Sequence, residues 1–251
     1  MDFYLPVIGL FSSVLFTLIF FLFRFLTGSV FAALFAAFVF QYLAFNLFHL
    51  DGLCDTADAF LGCASGEKTY SILKDSRIGT YGLFAGITSI LSKIIFLDAL
   101  CGAGQPFFFA AAFAYPVSGR FASALIPCFT KPAKPDGLGR LVKDSKTGMS
   151  IAGALCALFL WLALWLLGKA VFNYFLFFSF NFDFLCGMAY DVIFYFALPF
   201  ISAFACALFF SRLYKKRIGG YTGDALGASI ETAEILHLFL LLIIYNFKMV
   251  I

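Results

Sequence analysis

At 251 residues the chain is 63% hydrophobic and 20% aromatic, with only 12% charged residues and a formal net charge of +3. Soluble domains carry about 25% charged residues. There is too little polar surface here to cover a water-soluble globule, so the composition describes an integral membrane protein.

The apolar runs are long and unalternating, unlike the short alternating strands of a membrane barrel. Helices satisfy their own backbone hydrogen bonds in lipid, and a span needs roughly 20 apolar residues. The expected fold is therefore all-α, a polytopic transmembrane helical bundle forming a single catalytic domain over 1–251. In chain order the predicted spans are 4–23, 29–48, 80–101, 107–127, 150–172, 190–211 and 229–250, about seven in all. The first run lacks a basic leader and a small-residue cleavage site, so it reads as a retained span. Residues 173–190 are apolar but carry Asn173, Asn181 and Asp183. They are expected to lie in the membrane interface or to lengthen a neighbouring span. The seven cysteines are scattered, with no CxxC pair, and read as reduced, small apolar residues.

Seven spans would gather the segments 49–79, 128–149 and 212–228 on one side, together with the N-terminus. That side carries twelve basic residues: Lys68, Lys74, Arg77, Lys131, Lys134, Arg140, Lys143, Lys146, Arg212, Lys215, Lys216 and Arg217. The other side carries three, Arg24, Lys169 and Lys248. Positive charge favours the inside, so the N-terminus and these loops are expected in the cytoplasm, with the protein in the cytoplasmic (inner) membrane. Every cluster that looks chemical falls on this same side.

The first cluster is "FHLDGLCDTADAF", residues 48–60. Asp51, Asp55 and Asp58 follow the spacing i, i+4, i+7, which on a helix of about 100° per residue is an arc of roughly 60°. Like charges at this spacing repel, and an aspartate deep in a span costs roughly 2.5–3.5 kcal/mol. A membrane boundary alone needs one or two charges, not three in register. A hard divalent cation would compensate them, and an all-oxygen ligand set suits Mg²⁺. His49 beside them is a candidate proton acceptor.

"LKDSRIGTYG", residues 73–82, adds Lys74 and Arg77, suited to phosphate, and Asp75, a candidate catalytic carboxylate. Alone it would be an ordinary basic helix start; beside an acidic cluster it reads as the cationic half of a phosphate site. "KPAKPDGLGR", residues 131–140, reads as a solvated connector that could also serve as a lid. "RIGGYTGDALGASIETAE", residues 217–234, surrounds Asp224 with glycines before a helix start, where backbone N–H groups can meet an anion. It is not a P-loop. Gly220, Thr222 and Gly223 are candidate substrate contacts. Asp224 and Glu231 share a helical face and join Asp51, Asp55 and Asp58 as candidate metal ligands, with His49, Asp55 and Asp75 as the catalytic candidates. Carboxylates for Mg²⁺, cations for phosphate and a glycine-rich backbone make up the parts of a phosphoryl-transfer site.

"HLDGLCDTADAF" (49–60), "LKDSRIGTYG" (73–82), "GLGR" (137–140) and "GGYTGDALGASIETAE" (219–234) together resemble the cobalamin synthases, the adenosylcobinamide-GDP ribazoletransferases, in order and spacing. The resemblance covers most of the chain. It implies a multi-span, Mg²⁺-dependent membrane enzyme that joins adenosylcobinamide-GDP to α-ribazole or its 5′-phosphate. In that reaction the ribazole 3′-hydroxyl attacks the phosphate attached to cobinamide, and GMP leaves. The sequence departs from the family's usual pattern at Phe45, Asn46 and Leu47, where a small Thr-Gly-Gly-like stretch is usual, and at Ala59, usually glycine. The expected partners are these two substrates and the lipid bilayer, with no nucleic acid; an oligomer is compatible with the sequence.

Two other readings share some features. A CDP-alcohol phosphotransferase-like lipid enzyme would also cluster aspartates at a membrane edge, but its DGxxAR element is missing after Asp51-Gly52. A cation transporter would place acids near the bilayer midplane on broken helices, whereas these clusters lie at one surface beside basic loops.

Overall fold

The computed structural model describes residues 3–62, 67–75, 77–102, 105–133, 146–176 and 182–250. Helix α1 is Tyr4–Thr27, α2 Val30–Gln41, α3 Leu47–Leu61, α4 Glu67–Ile72 and α5 Thr80–Gly102. They are followed by α6 Gln105–Phe129, α7 Thr147–Leu176, α8 Phe182–Ile218 and α9 Gly223–Val250. A single π turn, Tyr42–Asn46, joins α2 to α3. Among the described residues there is no strand, only an isolated parallel bridge between Pro132 and Tyr221. The all-helical expectation holds.

Each predicted span falls on a helix. Five stretches among the described residues are long and apolar enough to cross a membrane: Tyr4–Thr27, Val30–Leu61, Thr80–Gly102, Ala197–Ile218 and Gly223–Phe247. Helix α6 packs against α1, α5, α7, α8 and α9 and is buried on nearly every face from Ala111 to Ile126. A helix wrapped in protein can hold Arg120, Ser118 and Ser123 inside. Lipid-facing helices instead display large apolar side chains, among them Phe25, Phe48 and Phe84. The 173–190 segment is divided: Asn173 lies in the last turns of α7 and Asp183 at the start of α8, with Asn181 outside the described residues.

Local chemistry sets the joints. Helix α1 ends on Gly28 in the left-handed region at φ 67°, whose N–H reaches the Arg24 carbonyl. Ser29 then caps α2 by accepting from Ala32 N–H at 3.3 Å. The joint between α2 and α3 holds no glycine or proline. There the chain continues as one rod through the π turn, closed by the Leu47 N–H bonding to the Tyr42 carbonyl. In lipid, helices associate by close packing and interhelical hydrogen bonds. Ser118 and Ser202 meet at 2.8 Å between α6 and α8. Tyr115 donates to Gln41 at 2.6 Å, and Gln41 donates to Ser12 at 3.0 Å, tying α6, α2 and α1 together.

Loops separated in sequence meet at one end of the bundle. The Tyr221 N–H donates to the Lys131 carbonyl at 3.0 Å, and the Ala133 N–H to the Tyr221 carbonyl at 2.9 Å. The Tyr70 hydroxyl reaches the Ile218 carbonyl at 2.7 Å. The Arg217 guanidinium lies over the Phe60 ring, 5.8 Å from its centroid. These contacts unite the chain after α3, after α6 and before α9 at the end where the sequence motifs lie. Residues 134–140 of the proposed lid, Lys143 and Ser76 lie outside the described residues.

Candidate active site

The site is built by the crossing of α3 and α9. All three aspartates of the first motif are on α3, so the expected helical register is present. Asp51 is exposed, and Asp55 and Asp58 are partly so, while Gly52, Cys54, Thr56 and Ala59 are buried. A Cβ on Gly52 would stand 3.0 Å from both Cα and the carbonyl oxygen of Asp224. A Cβ on Gly227 would stand 2.9 Å from the His49 carbonyl. These two glycines let the backbones of α3 and α9 touch. The contact carries Asp224 up to the aspartate face of α3, across 173 positions of sequence between residues 51 and 224. Asp51, Asp224, Asp58 and Asp75 all lie near enough to repel the charge on Asp55.

Asp224 lies in the first turn of α9, where the helix dipole favours an anion. Thr222 is the helix cap. Its hydroxyl oxygen accepts from the Ala225 N–H at 3.4 Å, and its hydroxyl donates to Asp224 Oδ2 at 3.0 Å. Gly223 opens the helix. Gly220 is buried, and any side chain on it would overlap the Lys131 carbonyl. Its glycine is thus explained by loop packing, independently of any anion.

Asp58 has a second task. Its carboxylate accepts from the Gly79 N–H at 2.7 Å and the Gly82 N–H at 2.8 Å, capping α5 from another helix. Side chains at 79 or 82 would overlap that carboxylate. Asp58→Ala strands both donors, for an expected loss of about 1–2 kcal/mol, read as a lower unfolding temperature in detergent. Asp58→Asn, which keeps one acceptor, should lose less.

Asp75 and Arg77 form a pair at the rim. Arg77 donates to Asp75 through Nε at 2.9 Å and Nη2 at 2.7 Å, and the Arg77 side chain is 87% exposed. The guanidinium holds the Asp75 carboxyl down at about 2, well below the range in which a carboxylate is an effective base near neutrality. Lys74 is exposed beside them. His49 is half-buried against the Gly227 backbone. Its Nδ1 is shielded from solvent and has no hydrogen-bond partner.

Glu231 does not join the aspartates. It lies seven residues further along α9, about 10 Å deeper at 1.5 Å per residue, and is fully buried. It accepts from Tyr42 at 2.8 Å, Asn46 at 3.0 Å, Ser89 at 2.8 Å and Lys93 at 2.7 Å. Glu234, one turn on, accepts from Lys93 and Arg120. Arg120 also donates to Asn46 Oδ1 at 2.6 Å. Two cations thus balance two anions in the heart of the bundle. Lys93 and Arg120 lie within the predicted spans 80–101 and 107–127, outside the loops whose charge sorts the two sides. These cations within spans, together with Glu231 and Glu234 in the predicted span 229–250, are the sequence signal for this cluster, because buried charges in membranes pair.

Among the described residues, no three His, Cys, Asp or Glu side chains close into a metal cage. Mg²⁺ seldom uses one; it commonly takes one or two carboxylates, waters and substrate phosphates. The open carboxylates Asp51, Asp55 and Asp224 match that donor chemistry.

Fold and site together define a helical membrane protein with clustered carboxylates at one end, where Arg77 pairs with Asp75 at the rim. Residues 2–242 match the family described as cobalamin-5-phosphate synthase. Similar proteins include the adenosylcobinamide-GDP ribazoletransferase of Fusobacterium nucleatum, 34% identical over 204 residues (79% of this chain, 69% of that one). Those of Shigella flexneri and Escherichia coli O157:H7 are 32% and 31% identical over 237 residues, covering 94% of this chain and 85% of each relative. No solved structure matches the chain significantly. The chain belongs to the cobalamin-5-phosphate synthase family, and is therefore a transferase of late cobalamin biosynthesis. That membership sets aside the CDP-alcohol and transporter readings.

Proposed function

We propose that this chain joins adenosylcobinamide-GDP to α-ribazole or its 5′-phosphate and releases GMP, using Mg²⁺ at the α3/α9 crossing. The observation that carries the reading is the backbone contact of Gly52 with Asp224, which unites two acidic motifs far apart in sequence. The relatives named above are adenosylcobinamide-GDP ribazoletransferases, and the substrates come from those names.

In the reaction, a ribazole hydroxyl oxygen attacks the phosphorus attached to cobinamide. A new P–O bond forms, the phosphoanhydride bond breaks, and GMP departs with the bonding electrons. Asp51, Asp55 and Asp224 would hold Mg²⁺, which supplies neutralisation of the diphosphate charge. Arg77 and Lys74 reach for phosphate oxygens at the rim, Arg77 through Nη1, which its bonds to Asp75 leave uncommitted. Thr222 orients Asp224, and Asp58 fixes the start of α5 beside them. His49 or Asp55 takes the hydroxyl proton; Asp75, held acidic by Arg77, serves to orient Arg77. Glu231 supports the site from below instead of ligating the metal.

The basic residues at this end, including Lys131, Arg212, Lys215, Lys216 and Arg217, support a cytoplasmic site in the inner membrane. They also suit anionic substrates.

The test is direct. Protein in lipid nanodiscs receives adenosylcobinamide-GDP, Mg²⁺ and either ribazole form, and GMP is measured. The expected result is GMP formed in step with the cobamide product and abolished by a chelator. GMP at the level of the protein-free control overturns the proposal.

A further inference from the structure

The π turn at Tyr42–Asn46 adds one residue to an otherwise α-helical rod that crosses the membrane from Val30 to Leu61. No proline or glycine causes it. What holds it is side-chain bonding from its first and last residues. The Tyr42 hydroxyl and Asn46 Nδ2 both donate to Glu231, at 2.8 and 3.0 Å. Asn46 also donates to Glu234 at 3.3 Å and accepts from Arg120 at 2.6 Å. All of these side chains are buried. Between the two anchors, Leu43 and Ala44 are exposed on the lipid side.

One residue more or less turns everything beyond it by about 100° and shifts it about 1.5 Å. The three aspartates of α3 occupy an arc of only roughly 60°. A slip of one residue would therefore carry the whole acidic face past α9. The glycines at 52 and 227 would lose their backbone contacts in the same movement.

We propose that this π turn is a phasing device, and that Tyr42 and Asn46 are positioning residues that set the rotation of α3. The buried cluster of Lys93, Arg120, Glu231 and Glu234 is the fixed post against which they register it. Glu231 sits on the same helix as Asp224, two turns away. The clamp therefore references the α3 aspartates directly to the helix that carries their partner. The inference rests on reading the α3/α9 crossing as the reactive site.

The test uses three chains in nanodiscs: Ala44 deleted, an Ala inserted between Leu47 and Phe48, and both changes together. Leu47 and Phe48 face lipid, at 52% and 74% exposure, so an inserted methyl meets no protein neighbour there. Insertion alone leaves the clamp intact and rotates residues 48–61. It should lower GMP release by about a hundredfold or more, the scale that an ångström of misplacement reaches, while gel filtration still shows folded protein. Deleting Ala44 alone removes the residue that the π turn absorbs, so the rod becomes plain α-helix with 48–61 in their wild-type rotation, and activity should stay within about tenfold of wild type. The combined chain keeps the residue count but has no π turn to absorb it, so 48–61 are rotated and activity should fall as far as with insertion alone. Mn²⁺ binding, read by electron paramagnetic resonance without substrate, should follow the same pattern. Full activity and Mn²⁺ binding in the insertion chain overturn the proposal. So does an Ala44-deleted chain that loses activity, or a combined chain as active as wild type. If the wild-type chain binds Mn²⁺ but releases no GMP, the proposed reaction falls, and the Mn²⁺ series alone decides the phasing.

Discussion

Asp55→Asn and Asp224→Asn each leave a folded, lipid-embedded chain that no longer releases GMP. Each substitution keeps the size of the side chain and removes one negative charge. Loss of a carboxylate that holds Mg²⁺ against the diphosphate should cost several kcal/mol in the transition state. At about 1.4 kcal/mol per tenfold, that is two to three orders of magnitude in rate. Folding should survive for different reasons at the two positions. Asp55 is half-buried among like charges, so removing its charge relieves repulsion in the metal-free chain and should raise the unfolding temperature. Asp224 lies in the first turn of α9 and accepts from Thr222. Asn keeps an oxygen acceptor there and forgoes only the helix-dipole contribution, about 0.3–1 kcal/mol. Turnover and unfolding temperature measured on the same preparations separate the two effects. Near-wild-type turnover in either variant removes that residue from the metal set.

Much of this site could be read from local rules. The spacing of Asp51, Asp55 and Asp58 fixes a common face on any helix, and α3 is a helix throughout the motif. The alternation of spans groups the loops after α3, after α6 and before α9, and their contacts bring them together at one end. The glycines around Asp224 read as exposed backbone for an anion, but the partners that require the glycines are not legible. Gly79 and Gly82 answer to Asp58 and Gly220 to Lys131, contacts that depend on tertiary packing. Asp58 reads as one of three equivalent carboxylates until α5 docks beside it. Glu231 shares a helical face with Asp224, yet depth along that face decides its partners. Near the loops an acid meets water and substrate; two turns down it meets Lys93. The π turn has no sequence signature, because bonds from other helices hold it.

Lys93→Met should be the most damaging single change to stability. Lys93 is fully buried and donates to both Glu231 and Glu234. Methionine fills a similar volume, so the loss is chiefly one of charge. Two carboxylates would then face Arg120 alone, in a region with no water to solvate them. Breaking a buried ion pair by removing one partner costs about 3–5 kcal/mol, a large share of a typical folding free energy of about 5–15 kcal/mol. The expected readout is a sharp fall in unfolding temperature in detergent, with less folded protein recovered from membranes. Charge balance gives the control. Lys93→Met combined with Glu231→Gln returns the cluster to one cation and one anion, and the glutamine can still accept from Tyr42 and Ser89. That double variant should recover a substantial part of the stability lost by Lys93→Met alone. The recovery would show as strong non-additivity, as expected for side chains in direct contact. Losses that simply add would mean that the four charges act as separate pairs. The same double variant should still turn over more slowly than wild type. Its clamp on Tyr42 and Asn46 is weaker even when its charge is balanced, and a kcat that falls while the unfolding temperature recovers would separate positioning from stability.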